Sequence, residues 1–321
     1  MLNYKEEKGE LQMLTHMDTV AVVGNGIIGH GVTELFARAG YTVVLIGRRD
    51  VSLNSALEKI KISLKEFTEE SLLAEADISM ILKRITISTN LEAAQNATVV
   101  IEALPEDMQL KIKTFGQLEK ICRENAILAT ASGHCVSEVI GEVKKRDRVI
   151  ATHFWFPPQL LPLVEVCGAP ETSKETIELT CRLLTGIGKK PVVIDKEIDG
   201  FIGNRIQFAA LREAWSLYAS GVASAEAIDS IVRYSIGRRY AVTGPIESAD
   251  IAGLPVMVNF AAYLQPSLSV DKVPPKQLFE LAKRAEGTVY KRSKEETERL
   301  LAARKKELFR WLAKDREDAT L

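Results

Sequence analysis

Thr19-Val-Ala-Val-Val-Gly24-Asn-Gly26-Ile27-Ile28-Gly29 is a β-branched run that stops on a glycine turn, after which Val32, Leu35 and Phe36 continue at helical spacing. Strand, turn and helix in that order give each glycine a task. Gly24 permits the tight turn, Gly26 lets the backbone approach a pyrophosphate, and Gly29 allows the helix to pack close on the sheet. Phosphates would then sit at the helix N-terminus, beside the backbone of Ile27 and Ile28. A G-x-G-x-x-G alone is a weak signal. Here Gly40 and a second strand, Tyr41 to Ile46, follow it, which is the context that dinucleotide binding requires.

At the end of that second strand a NAD-binding unit usually carries an acidic residue for the ribose 2'-hydroxyl. This chain has Gly47-Arg48-Arg49 instead. Without the carboxylate a 2'-phosphate is not repelled, and a guanidinium offers it a planar bidentate donor, so the pair favours NADP over NAD. Asp50 lies next in sequence and complicates that preference; the alternative is two solvated arginines on a loop.

Val51 to Leu82 holds two apolar-periodic segments around Thr68-Glu-Glu, more helix than one crossover needs, which predicts a helical hairpin inserted after the second strand. Ile85 to Thr89 and Thr98 to Ala103 are further strands. The second ends in Glu102-Ala-Leu-Pro-Glu106, with Lys111 on the helix that follows, so Glu106 and Lys111 would rim the cofactor crevice. Ala126 to Ala131 brings Ser132-Gly-His134 to its carboxyl end. A serine there either meets a substrate oxygen or caps the helix that starts near Cys135, and the residues alone favour the cap.

The run Arg148-Val-Ile-Ala-Thr-His153-Phe-Trp-Phe-Pro157-Pro158, continuing to Glu165, is a strand, a proline corner and a returning strand, Pro162 to Val166. The prolines lack backbone N–H groups and end the ladder. The return can set Glu165 against His153, where a carboxylate fixes the tautomer and favours the imidazolium of a group that exchanges a proton with a hydroxyl. A solvated glutamate and a satisfied core histidine are the bland alternative.

After a helix, Ser173 to Ile187, and a last strand, Pro191 to Ile194, the alternation ends. From Asp199-Gly-Phe-Ile-Gly-Asn204 the pattern is helical: Arg205 to Ser220, Ala225 to Ile236, and so on to an amphipathic run from Glu295 to Lys314. Asn204 falls in the first turn of the linking helix, as a cap or facing the crevice. The fold predicted is α/β, a Rossmann-type doubly wound, mostly parallel sheet over residues 17–196, followed by an all-α domain over 197–321. Residues 1–16, mostly polar and without a period, are expected to be a disordered leader or an upstream start.

A formal charge of −1 and a pI near 6.5 argue against nucleic acid as a partner. Four cysteines without C-x-x-C pairing predict free thiols in a reducing compartment, with the cytoplasm as the default, and no metal site is expected. No apolar run approaches the roughly eighteen residues that would place the chain in a membrane.

Taken together, G-N-G-I-I-G, V-I-E-A-L-P-E with Lys111, Ser132, H-F-W-F-P-P-Q-L-L-P-L-V-E and G-F-I-G-N-R resemble the 3-hydroxyacyl-CoA dehydrogenase family from Thr19 to about Tyr290. The resemblance implies a catalytic pair, His153 and Glu165, with Ser132 and Asn204 holding the substrate oxygen and Glu106 and Lys111 near the cofactor. It also implies a homodimer formed through the helical C-terminal domain.

The departures from that pattern narrow the substrate. Acyl-CoA enzymes look like H-F-F-N-P at the catalytic strand, whereas this chain has Phe156 at the asparagine, and their S-N-T-S becomes Ala129-Thr-Ala-Ser132. Gly237-Arg-Arg-Tyr-Ala-Val-Thr-Gly-Pro245 replaces a short G-Y-P-M-G-P turn. This longer form resembles the branch acting on free hydroxy acids and small alcohols, including the gulonate, carnitine and pyridoxal-breakdown dehydrogenases. Arg239 would meet a substrate carboxylate, or else satisfy carbonyls at a helix end. The expected activity is hydride transfer on a small anionic alcohol. A NAD-dependent 3-hydroxyacyl-CoA dehydrogenase and a nucleotide binder without turnover are the alternatives. A β-hydroxyacid dehydrogenase would need a catalytic lysine where Asn204 stands.

Overall fold

Both parities of residue along the central strands are apolar because helices cover the sheet on both faces. The computed structural model describes residues 19–284 and 287–320; the expected leader, 1–16, lies outside them. The chain divides into two units, residues up to Phe201 together with Ala302 onward, and Ile202–Leu301.

In the first unit the strands are β1 (Thr19–Val23), β2 (Thr42–Ile46), β3 (Ile85–Ser88), β4 (Val99–Glu102), β5 (Ile127–Thr130), β6 (Val149–Phe154), β7 (Leu163–Gly168) and β8 (Lys190–Ile194). They form one sheet in the order β3-β2-β1-β4-β5-β6-β7-β8. Every neighbouring pair is parallel except β6 and β7. The helices are α1 (Ile27–Arg38), α2 (Asp50–Glu69), α3 (Asp77–Lys83), α4 (Met108–Ile121), α5 (Val136–Val139) and α6 (Lys174–Gly186). The Rossmann-type sheet and the inserted hairpin, α2 with α3, are as the sequence predicts. Val20, Val22, Leu45 and Ile101 face α1 and α2, while Ala21, Val23, Val100 and Leu128 face α4 and α5.

The second unit holds α7 (Phe201–Ala219, which begins on the last residue of the first unit), α8 (Ala225–Tyr234), α9 (Ile236–Tyr240), α10 (Pro245–Leu264) and α11 (Lys276–Ala282). The expected helix Ala225 to Ile236 breaks at Ser235, whose ψ of −99° is not helical. The segment expected as a long turn from Gly237 is therefore helical through Tyr240. Helix α10 is interrupted at Gly253, φ 96°, two residues before Pro255. Among the described residues, no helix is long and apolar enough to cross a membrane.

The last helix, α12 (Lys294–Thr320), begins in the second unit and ends in the first. Phe309 and Leu312 are buried against Phe67 of α2 and Leu160, with the Phe309 and Phe67 rings edge to face at 5.0 Å. Leu300 and Leu301 stay exposed. The division expected, with 197–321 as one helical unit, is thus redrawn: an amphipathic stripe predicts that a helix packs, not on which body it packs.

Beneath this contact Glu34 is fully buried on α1, held by Arg38 and Ser63, and Arg38 stacks over Phe67 at 3.8 Å. Burial pushes the Glu34 carboxyl up from 4.5 to about 7. The folded chain therefore keeps a proton that the unfolded chain loses, so stability falls as pH rises from about 4.5 through 7. Glu34→Gln mimics the neutral form. It is expected to leave stability nearly unchanged at the acid end of that window and to raise it above pH 8 by up to ~3 kcal/mol, read from urea midpoints. Equal midpoints for the two proteins above pH 8 would refute the assignment.

Candidate active site

The sequence reverses its strand order between β1 and β4, and ligands of open α/β sheets bind at the carboxyl ends there. A cleft of about 770 Å³ opens at this point, lined by Gly24, Asn25, Gly26, Ile27, Ile28, Arg48, Arg49, Ser52, Thr89 and Glu106 among others. Gly24 has φ 114°, and a Cβ there would overlap the Ala103 carbonyl; one at Gly29 would overlap the carbonyl of Gly24. At Gly26 a Cβ would meet nothing within 4 Å, so the space is left for a ligand. Gly26 is also the N-cap of α1, with no side-chain cap and no acid in the first turn. The first amides of the helix are thus open to a pyrophosphate.

Arg48 and Arg49 are exposed at the cleft, and among the described residues neither forms an ion pair. Asp50, which complicated the cofactor preference, is the first residue of α2 and does not line the cleft.

Lys111 does not rim the crevice as expected. Its side chain is 1% exposed and donates to Glu102 Oε1 at 2.9 Å, beneath the cleft floor. Glu102, fully buried at the end of β4, also accepts from the Leu104 amide at 2.6 Å and from Thr130 Oγ1 at 2.7 Å. A buried carboxylate requires such partners, and Lys111 is drawn inward to supply one. Glu106 remains at the surface, where its Oε2 accepts from Ser132 Oγ at 2.7 Å and lies 3.3 Å from His134 Nε2. Ser132 is not the cap of α5; that helix starts from Cys135 without a side-chain cap, and the Ser132 hydroxyl instead accepts from the His134 amide.

Strands β5 and β6 run parallel with Thr130 beside Ala151. Two residues on along each are Ser132 and His153, both at the carboxyl edge. His153 lies two strands beyond β4 and does not line the dinucleotide cleft itself. Strands β6 and β7 are antiparallel, with His153 directly opposite Glu165. His153 Nδ1 is 2.8 Å from Glu165 Oε2, with side chains 13% and 4% exposed. Glu165 thereby sets Nδ1 as the bonded nitrogen and leaves Nε2 as the other.

Two aromatic residues bracket the imidazole, neither singled out from the sequence. The Trp155 ring lies 5.7 Å from it and the Phe201 ring 5.6 Å. Phe201 is fully buried with φ 49°, a left-handed conformation that costs a non-glycine residue about 1–2 kcal/mol and so marks a constrained position. The glycines around it in Asp199-Gly-Phe-Ile-Gly were the available signal. All four cysteines are free, and burial pushes three thiols, Cys122, Cys135 and Cys167, up to about 11, 12 and 11. They therefore stay protonated and are poor nucleophiles. Asn204, in the first turn of α7, and Arg239, exposed in the last turn of α9, belong to the second unit.

A dinucleotide cleft at the switch point, with an acid–base pair along the same sheet edge, is the layout of a nicotinamide-dependent dehydrogenase acting on CH–OH groups. Residues 19–198 match the 3-hydroxyacyl-CoA dehydrogenase NAD binding domain and residues 200–295 its C-terminal domain. The chain belongs to the 3-hydroxyacyl-CoA dehydrogenase family. It is 35% identical over 239 residues to lambda-crystallin of Oryctolagus cuniculus, covering 72% of this chain and 74% of that one. It is 34% identical over 240 residues to 3-hydroxybutyryl-CoA dehydrogenase of Clostridioides difficile, covering 74% and 84%. In fold it matches 5-formyl-3-hydroxy-2-methylpyridine 4-carboxylic acid 5-dehydrogenase, with a TM-score of 0.83 at 24% identity over 92% of this chain and 99% of that one.

Proposed function

We propose that this dehydrogenase oxidises or reduces a hydroxyl or carbonyl group on a small anionic molecule, with His153 and Glu165 as its catalytic pair and NADP as the preferred cofactor. The observation that carries the reading is the 2.8 Å bond from His153 Nδ1 to Glu165 Oε2 at the carboxyl edge of a dinucleotide-binding sheet. When bound, the cofactor supplies the hydride acceptor or donor at nicotinamide C4. Gly24, Gly26 and the first turn of α1 would hold its pyrophosphate, and Glu106 would stand near its nicotinamide half. In oxidation His153 takes the hydroxyl proton and Glu165 stabilises the imidazolium; in reduction the pair gives the proton back. Ser132 and Asn204 hydrogen-bond the oxygen on which charge develops, and Arg239 meets a substrate carboxylate.

The exposed guanidiniums of Arg48 and Arg49 at the cleft support NADP. NADPH is expected to bind at least about tenfold more tightly than NADH, and Arg48→Ala with Arg49→Ala to remove the difference, since a hydrogen bond to a charged group contributes ~1.5–3 kcal/mol. Parallel fluorescence titrations measure this, and tighter NADH binding by the unaltered protein would exclude the preference.

Similarity to 3-hydroxybutyryl-CoA dehydrogenase favours a second reading, a NAD-dependent enzyme of CoA thioesters. Phe156 in place of asparagine and the Arg239 segment favour free acids. A panel of CoA thioesters against free hydroxy acids separates the two.

A homodimer through the helical unit is part of the proposal. None of the side chains of α8, α9, α10 or α11 is buried, and Ile251, Val256, Phe260 and Tyr263 on α10 are all more than half exposed. Helices with no buried face need a cover, and a second copy of the same surface provides one. Free thiols support the cytoplasm as the compartment.

A further inference from the structure

Glu165 Oε2 accepts a hydrogen bond from His153 Nδ1 at 2.8 Å and another from Trp155 Nε1 at 3.1 Å. Resting on the assignment of His153 and Glu165 made above, we propose that Trp155 is a positioning residue for proton transfer, its indole N–H holding the carboxylate in register with the imidazole.

A glutamate side chain has three rotatable bonds, and the torsion next to its carboxylate is soft. A histidine that itself rotates fixes only part of that motion, and a donor reaching the same oxygen from another direction narrows it further. Trp155 can reach it because it follows His153 by two residues and so projects from the same face of the sheet, while Phe154 between them is buried on the other. The indole also lies across the imidazole, with 64° between the ring planes, so it limits the swing of the ring whose partner it fixes. A carboxylate that serves an indole as well holds the imidazolium less tightly than one that serves the imidazole alone. That suits a group which must release its proton again.

Packing does not call for this N–H. The indole is half-buried, at the end of β6 and outside the core clusters. A benzyl ring fills the place; the donor is what tryptophan adds.

The test removes the donor and keeps the ring. Incorporation of 3-benzothienylalanine at position 155 retains the bicycle and replaces N–H by sulfur, and Trp155→Phe is the encoded counterpart. Each is expected to lower kcat about tenfold in both directions, the effect of losing one hydrogen bond to a charged acceptor, with substrate KM and cofactor Kd within about twofold. Unchanged kcat with the sulfur analogue overturns the proposal. So does a fall in kcat matched by parallel rises in KM and Kd, which marks general loosening of the site. A second measurement leaves Trp155 unaltered. The chain has three tryptophans, and in the 15N-indole spectrum one of the three N–H signals is expected to move when Glu165→Gln weakens the acceptor. If none moves, the bond is absent and the proposal fails. The spectrum reads the bond whether or not the pair is catalytic, so an active His153→Gln enzyme would remove the catalytic reading while leaving the indole result to stand by itself.

Discussion

His153→Gln is expected to lower turnover at least about a hundredfold in both directions while NADPH and NADH dissociation constants stay within about twofold. The side chain is 13% exposed and its Nδ1 is committed to Glu165, so the substitution removes a proton carrier without opening a large void. Glutamine can still hydrogen-bond the carboxylate, but it cannot accept and return a proton near neutral pH. The dinucleotide cleft is lined by other residues, which is why cofactor binding separates from turnover here. Stopped-flow hydride transfer together with fluorescence titration of the cofactor measures both quantities. Wild-type turnover in the variant would show that the proton moves through another group and would leave no argument for the pair.

The second large effect is on stability. Lys111→Met takes the ammonium away from Glu102, a carboxylate with no exposed surface, and leaves it with only neutral donors from Leu104 and Thr130. Breaking a buried pair by removing one partner costs about 3–5 kcal/mol, because the remaining charge must either be neutralised or draw water into the fold. The urea midpoint should fall accordingly. Adding Glu102→Gln to the same chain should recover much of the loss, since it removes the stranded charge. If the single variant is as stable as the parent, the pair does not hold the end of β4. Ala103 and Leu104 line the cleft directly after Glu102, so weaker cofactor binding is expected to accompany the loss.

What could be seen in the residues beforehand was local. The glycine turn, the strand alternation and the proline corner between His153 and Glu165 are each written within a dozen residues, and turn chemistry with hydrophobic period is enough to read them. Lys111 was misplaced because a charged side chain reads as surface unless its partner is known, and Glu102 sits nine positions away in sequence. Trp155 was passed over because periodicity is blind to an indole N–H. The end of α12 was assigned to the wrong unit because Leu308 and Leu312 make the same stripe on whichever body they pack. The break at Ser235 was missed because helical spacing runs on to Ile236, and Gly237 two positions later was the available cue.

The antiparallel pairing of β6 with β7 carries one further consequence. Side chains of a strand point alternately to opposite sides, so sliding β7 by one position against β6 would leave both strands hydrogen-bonded and turn the acid to the reverse of the sheet. The connection from Phe156 to Pro162 can therefore drift in shape, but any change in its length is tolerated only if the two strands keep step. Chemistry at this edge is inherited through a counting rule, and a lineage could lose it by a single missing codon without losing the fold.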